Sequence, residues 1–337
     1  MKYLVTGGAG FIGSNFIHYI LGKYPDAEII NLDKLTYAGN LENLKDFENN
    51  PRYKFVQGDI ADSKIVNELV PQVAVIVNFA AETHVDRSIM GPEAFVHTNV
   101  LGTQVLLEAA RKNGNKRFHH ISTDEVYGSI PLESDEKWTE QSPYRPRSPY
   151  SASKAASDML CRAYFTTYGL PVTITNCANN VGPFMYPEKF LSLAITNLLE
   201  GKNVPVYGEG KQVREWLHVL DHCSAIDLVI QNGRAGETYF VGPDGKHMNN
   251  LDTIKKVLQI MNLPQTRIEF VKDRPGHDAK YALDTTKIKN ELGWLPKFSV
   301  DQTLKDAVEW YQDNQDWWKQ IKTSEEYKNY YQHQYQK

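Results

Sequence analysis

An α/β fold on a doubly wound parallel sheet is what this chain predicts, on three observations. Short apolar runs alternate with helical patterns through the first half, a glycine-rich turn follows the first run, and an acidic residue closes the second. The first run, Tyr3 to Thr6, leads into Gly7-Gly8-Ala9-Gly10-Phe11-Ile12-Gly13, which opens an amphipathic segment reaching about Tyr24. Glycine serves where backbone must approach a pyrophosphate and where a helix must pack closely on a strand, and the helix start offers free N–H groups to phosphates. The spacing is G-x-x-G-x-x-G, one residue wider at its start than the G-x-G-x-x-G form. A second strand, Glu28 to Leu32, ends in Asp33, about twenty residues past Gly13. A carboxylate there takes both ribose hydroxyls of an adenosine and repels a 2′-phosphate, so the first half is expected to be Rossmann-like and to bind NAD rather than NADP.

The remaining elements follow in order. Tyr53 to Val56 is a strand ending at Asp59, Val73 to Phe79 another, and a helix covers about Ala94 to Arg111. A strand at Lys116 to Ser122 is followed by a helix at Tyr150 to Tyr168 and a sixth strand at Val172 to Asn176. Beyond Asn176 the rhythm loosens, and Pro183, Pro187, Pro205, Pro243, Pro264, Pro275 and Pro296 punctuate shorter elements. A smaller C-terminal substrate-binding lobe is therefore expected against the carboxyl edge of the sheet. The boundaries read as 1–176 for the cofactor domain, with later segments returning to it, 177–317 mainly for the lobe, and 318–337 for a C-terminal tail. That tail is polar and aromatic without clear periodicity, and a frayed end and a partner contact both stay open.

Composition narrows the class. With 337 residues, 41% of them hydrophobic and 23% charged, and a net charge of -4, the chain reads as an ordinary globular protein with no nucleic-acid or membrane surface. Lys2 leads straight into the first strand and no run approaches a membrane span, so a cytoplasmic location is expected. Cys161, Cys177 and Cys223 are odd in number and far apart, which argues against a disulfide framework or zinc site and for buried small hydrophobes. Of the ten histidines none has a metal-ligand spacing, and strand alternation is expected to send one of His119 and His120 inward and one outward. No metal is expected.

Chemistry concentrates in Ser122-Thr123-Asp124-Glu125-Val126-Tyr127-Gly128, two adjacent carboxylates leaving a strand at the end where open parallel sheets bind ligands. Downstream lies Tyr150-x-x-x-Lys154, which puts phenol and ammonium on one helix face, where the ammonium would lower the phenol's pKa and make it a usable base. Tyr19/Lys23 and Tyr207/Lys211 have the same spacing, but only Tyr150/Lys154 opens a helix after Pro149 and carries small neighbours, Ser151, Ala152, Ser153, Ala155 and Ala156. Adjacent acids are commonly solvated loop residues or helix caps; the position of Asp124 and Glu125 beside Ser122 and Thr123 favours function. Asn99 reads equally as a core amide or as a support for the catalytic residues.

The strings GGAGFIGSN, NLDKLTYAGNLENL, NFAAETHVDRSI, STDEVYG, SPYSASKA, REWLHVLDHC, DRPGHD and NELGW resemble the dTDP-glucose 4,6-dehydratase family of the extended short-chain dehydrogenases/reductases, over about residues 1–315. The resemblance implies a lyase that oxidises a nucleotide-linked glucose transiently at C4, eliminates water across C5 and C6, and returns the hydride to C6. It implies catalysis by Thr123, Asp124, Glu125, Tyr150 and Lys154. NAD would lie along Gly7, Gly10, Phe11, Ile12, Gly13, Asp33, Lys34, Leu35, Thr36, Asp59, Ile60, Ala80, Ala81, Thr98, Tyr150, Lys154 and Asn180. The nucleotide sugar would meet Thr83, Thr123, Asn179, Lys189, Phe190, Pro205, Val206, Tyr207, Arg214, Asn249, Arg274 and His277. Both arginines suit a diphosphate, whose oxygens a guanidinium matches in pairs. A homodimer is implied, packed through the Ala94–Arg111 and Tyr150 helices, with Val105, Leu106, Met159 and Leu160 as apolar candidates.

Departures from the family pattern fall in the lobe. Val181 replaces a tyrosine, Lys246 stands where glutamate is common, Ala279-Lys280 replaces a basic pair, and one extra residue leaves Asn249 and Asn250 as alternatives for one position. They bear on the base and the sugar substituents, so UDP-glucose or UDP-N-acetylglucosamine stands as the alternative substrate. A 4-epimerase or decarboxylase would not need the acid pair, and an NAD-sensing binding protein would not need the full set of catalytic groups.

Overall fold

The computed structural model describes residues 1–244, 247–273 and 276–335. Six strands, β1 (Lys2–Thr6), β2 (Glu28–Asp33), β3 (Tyr53–Gln57), β4 (Val75–Asn78), β5 (Arg117–Thr123) and β6 (Val172–Cys177), join a seventh at Thr238–Val241 in one sheet. All neighbours are parallel, and from the Thr238–Val241 edge the order runs β6, β5, β4, β1, β2, β3. The order reverses between β1 and β4, so the loops leaving those strands diverge and open a crevice at their carboxyl ends.

Alternation along the strands feeds two cores. Tyr3, Val5, Val75 and Val77 pack beneath the helices Phe11–Lys23 and Val219–Asn232 through Phe16, Ile17, Ile20, Cys223 and Ile226. Leu4, Ile30, Ile76 and Phe118 pack on the other face against Val66, Leu106, Leu107 and Cys161, from helices Ser63–Leu69, Thr103–Lys112 and Pro149–Tyr168. A sheet covered on both faces buries its central strands on both sides, as in β4 and β6, where every residue is buried. That corrects the expectation for the paired histidines: His119 and His120 do face opposite ways, but both are fully buried. The three cysteines are free and buried.

A third core lies beyond β6. Leu191, Ile195, Val206, Trp216, Ile254, Val257, Leu304 and Tyr311 come from helices Phe190–Leu199, Asn250–Ile260 and Val300–Asp313 and from short strand pairs. One pair, Asn179–Val181 with Trp216–His218, sits directly beyond the carboxyl end of β6.

The aperiodic C-terminal stretch forms helices Gln315–Thr323 and Glu325–Tyr335. Trp318 of the first helix enters the third core, while Tyr327 of the second, in the stretch without clear period, packs with Tyr186. The helix expected over Ala94–Arg111 is a composite of Glu93–Phe95, a wide π turn at Val96–Gly102, and Thr103–Lys112. No described helix is long and apolar enough to cross a membrane.

Candidate active site

The crevice is lined at one end by the glycine turn. Gly7 has φ +69°, and a Cβ there would sit 2.6 Å from Ala80 N; a Cβ on Gly13 would sit 2.4 Å from Gly7 O. Only glycine lets the β1 turn, the β4 end and the helix start approach so closely. Gly10 caps the Phe11–Lys23 helix without any side-chain hydrogen bond, so its first N–H groups face the crevice. At the end of β2, Asp33 accepts from Ala9 N (2.9 Å) and Leu35 N (2.8 Å), and burial lifts its pKa against those two donors. Lys34 Nζ reaches Asp59 at 2.8 Å, and Asp59 is held below the ordinary carboxylate range although burial opposes this. A glycine cradle, an uncapped helix start and a carboxylate after β2 fit a dinucleotide with an unphosphorylated ribose.

At the carboxyl end of β5, Thr123 stops the strand and caps a short 3-10 turn, Asp124–Tyr127. Its Oγ1 donates to Asp124 Oδ1 (3.1 Å) and accepts from Glu125 N (3.3 Å). Asp124 is 1% exposed, and its Oδ2 has no hydrogen-bond partner. Burial first, then the charges of Glu125 and Glu215, push its pKa well above the carboxylate range. Burial and its acidic neighbours thus bias Asp124 toward its protonated form, with Glu125 beside it on the crevice wall.

The Pro149–Tyr168 helix faces that turn. Ser148 caps it in a reciprocal capping box with Ser151, and Pro149 occupies its first turn, so Tyr150 and Lys154 start on a fixed axis. Asn99, in the π turn, binds Glu82 N and Glu82 O (2.9 and 3.0 Å) and donates to Ser153 Oγ (2.8 Å), tying the β4 exit to the Tyr150 helix. Lys154 Nζ donates to Ile121 O (2.7 Å) and lies 3.3 Å from His120 Nε2. The expected lowering of the phenol is not what the polypeptide alone produces. Burial and the Glu125 charge push Tyr150 well above its ordinary value, and a bond with Thr123 only partly offsets them.

Sixteen of the seventeen expected cofactor residues line this crevice; Leu35 does not, because its backbone turns left-handed (φ 57°) and carries the side chain to a separate small hollow. Of the expected substrate residues, Thr83, Thr123, Asn179, Lys189, Phe190, Pro205, Tyr207, Arg214 and His277 line it too. Val206 does not: in the strand Val204–Tyr207 the alternation exposes Pro205 and Tyr207 and sends Val206 into the third core. Asn249 does not either. It caps the Asn250–Ile260 helix by accepting from Asp252 N (2.7 Å), and its neighbour Asn250 lines the crevice. Arg274 and Lys246 lie outside the described residues. Arg214 stacks on Tyr281 at 4.3 Å and donates to Asp278 O (2.9 Å).

Glu188, Glu82 and Tyr281 also line the crevice and escaped sequence reasoning. Glu188 pairs with Arg87 at 3.1 Å, and Lys189 beside it donates to Thr83 O at 3.1 Å; the Pro187-Glu188-Lys189 string was the only local signal. Tyr281 follows the DRPGHD string and donates to Asp278 Oδ2 at 2.6 Å. Among the described residues no group of three or more His, Cys, Asp and Glu is placed to hold a metal ion.

Comparison with known proteins agrees with this arrangement. A sequence model of the family described as GDP-mannose 4,6 dehydratase matches residues 4–307. The dTDP-glucose 4,6-dehydratase of Streptomyces niveus is 50% identical over 330 residues, 97% of each chain. Among solved structures, DesIV (dTDP-glucose 4,6-dehydratase) from Streptomyces venezuelae with NAD and TYD bound superposes with a TM-score of 0.92. It has 50% identity, covering 95% of this chain and 100% of that one. The dTDP-glucose 4,6-dehydratase of Bacillus anthracis in complex with NAD gives 0.89 at 46% identity, covering 95% and 99%.

Proposed function

This chain belongs to the dTDP-glucose 4,6-dehydratase family, and on that premise we propose that it converts dTDP-glucose to dTDP-4-keto-6-deoxyglucose and water as an NAD-dependent hydro-lyase. The observation that carries the reading is the buried Asp124 beside Glu125 and Tyr150 in the crevice at the end of β5. An epimerase needs one base at C4; this wall offers an acid and a base in addition.

NAD, held along the glycine cradle, supplies the oxidation at C4 and the later reduction at C6. The residues do the rest. Thr123 and Tyr150 hold the C4 hydroxyl, and Tyr150 takes its proton as the phenolate, a form that burial and Glu125 oppose and that the Lys154 ammonium and the positive charge of bound NAD would favour. The C4 ketone acidifies the C5 hydrogen, which Glu125 removes. Asp124, biased toward its protonated form by burial, gives its proton to the departing C6 hydroxyl, so water leaves across C5 and C6. Glu125 then returns its proton to C5. Arg214, stacked on Tyr281, and Lys189 supply positive charge to the diphosphate end.

Two further readings belong to the proposal. The chain works as a homodimer, supported by exposed Ile89, Met90, Val96, Leu101 and Met159 on neighbouring helices; Leu106, expected at that surface, is fully buried in the chain's own core. The location is cytoplasmic, supported by three free, buried cysteines.

Purified protein incubated with dTDP-glucose, UDP-glucose and UDP-N-acetylglucosamine is expected to yield an alkali-absorbing 4-keto product from the dTDP sugar first. A 4-epimer as sole product, or no product from any of the three, overturns the proposal.

A further inference from the structure

Two groups beneath the catalytic helix have no part in the reaction described above. His120, on β5, and Asp158, one turn beyond Lys154 on the Pro149–Tyr168 helix, are both fully buried. His120 Nε2 lies 3.3 Å from Lys154 Nζ and 3.4 Å from Asp158 Oδ1. The ammonium and the carboxylate therefore approach the same ring nitrogen, which hydrogen-bonds to one of them at a time, so the imidazole separates the two charges by its own width. The other oxygen of Asp158 accepts from Ser122 Oγ of β5 (2.8 Å), Tyr144 OH (3.0 Å) and Asn176 Nδ2 of β6 (3.2 Å). Burial lifts the Asp158 pKa, and the Lys154 charge with the three donors on that oxygen opposes it in favour of the charged form.

A fully buried ammonium gives up its proton unless an anion shares its surroundings. The groups acting on Lys154 electrostatically are Asp158 and Cys161 on its own helix and Cys177 on β6. Burial pushes both thiols up, so they stay neutral, and it holds His120 neutral as well. Tyr150, also on that helix, is likewise pushed up. Asp158 is the one carboxylate in the set. Tyr127, Tyr144 and Arg162 complete the groups that face Asp158.

We propose that Asp158, sharing the His120 imidazole as a neighbour with Lys154, is a positioning residue whose charge keeps Lys154 protonated and seated on the Ile121 carbonyl, and so sets the pH range over which Tyr150 works. The inference rests on the reading of Tyr150 and Lys154 as catalytic.

The test uses Asp158→Asn, nearly isosteric, with Asp158→Glu and His120→Phe as companions, in the full-length protein with NAD. Losing the carboxylate lets folded Lys154 release its proton at lower pH, while the unfolded chain keeps the ordinary lysine value. Between the two values the unfolded state binds more protons, so stability rises with pH. The Asp158→Asn melting deficit against wild type is thus expected to narrow from about pH 7 to about pH 9.5. The alkaline limb of kcat is expected to fall by about one pH unit or more, with turnover near neutrality reduced roughly tenfold. Asp158→Glu retains both wild-type profiles, and His120→Phe moves the limb in the same direction as Asp158→Asn. A melting deficit constant with pH together with an unmoved alkaline limb overturns the proposal and leaves Asp158 a packing residue. If Asp158→Asn fails to fold, an unmoved limb in His120→Phe overturns it. If wild type makes no 4-keto sugar, the functional reading fails, and the melting arm still decides this one.

Discussion

Asp124→Asn separates what the buried carboxyl does for the reaction from what it costs the fold. The amide has nearly the same shape, and its oxygen still accepts from Thr123 Oγ1, a bond of 3.1 Å in the native chain. What disappears is the proton. One acid contact contributes roughly 10²- to 10⁴-fold, about 3–5 kcal/mol of barrier, so elimination should slow by that factor while oxidation at C4 persists. Stability should move the other way. Asp124 is held well above the ordinary carboxylate range by burial, Glu125 and Glu215, so above the unfolded value the folded chain keeps a proton that the unfolded chain has lost. Stability therefore falls as pH rises through that window, at about 1.4 kcal/mol for each unit of the shift. Asparagine carries no such penalty, and Asp124→Asn is expected to melt about 2 °C or more above wild type near pH 8 and to lose that advantage near pH 4. Stopped-flow absorbance of the reduced nicotinamide, product assay in alkali, and calorimetry at the two pH values read all three quantities. Wild-type turnover, or a melting change of one sign and size at both pH values, refutes the reasoning.

Glu125→Gln should leave reduced nicotinamide accumulating after mixing with dTDP-glucose and lower 4-keto product about a hundredfold or more, while solvent deuterium no longer enters C5; full turnover defeats the role. Gly13→Ala places a methyl group 2.4 Å from Gly7 O and 2.9 Å from Gly8 Cα, both backbone. It should cost about 1–3 kcal/mol in denaturant unfolding and weaken NAD binding in calorimetry, and unchanged affinity would count against the cradle. Trp318→Ala removes a fully buried side chain from the third core and should cost about 3–5 kcal/mol by the same unfolding measurement; a loss below about 1 kcal/mol would mean the C-terminal helices are weakly docked. Met159→Glu, at a residue 55% exposed on the catalytic helix, should shift the protein toward monomer in sedimentation while a monomeric fold persists.

How far the site was legible depended on how local its chemistry is. Tyr150 and Lys154 are one helical turn apart, and Thr123, Asp124 and Glu125 are consecutive at a strand end, so periodicity and adjacency identify them without knowledge of the rest of the chain. Val206 and Asn249 failed for equally local reasons: a four-residue strand turns alternate side chains away, and a capping asparagine spends its carbonyl on the helix it begins. Glu188 and Tyr281 could not be placed, because each reaches the crevice only through packing of segments distant in the chain. The spacing of Tyr150 to Lys154 points to a lowered phenol, yet burial and then Glu125, a neighbour in space and not on the helix, push it up.

By itself the chain determined the parallel sheet, its glycine turn and the candidates for the acid, the bases and the cation, since each is written in spacings of two, four or a few residues. Tertiary structure alone decided their states. Covering both sheet faces buried His119 and His120 alike, packing around the end of β5 buried Asp124 and raised its pKa, and the Pro149–Tyr168 helix set Asp158 where its charge acts on the buried Lys154. Protonation depends on how much water and which charges surround a group, and both are properties of the packed molecule rather than of the order of its residues.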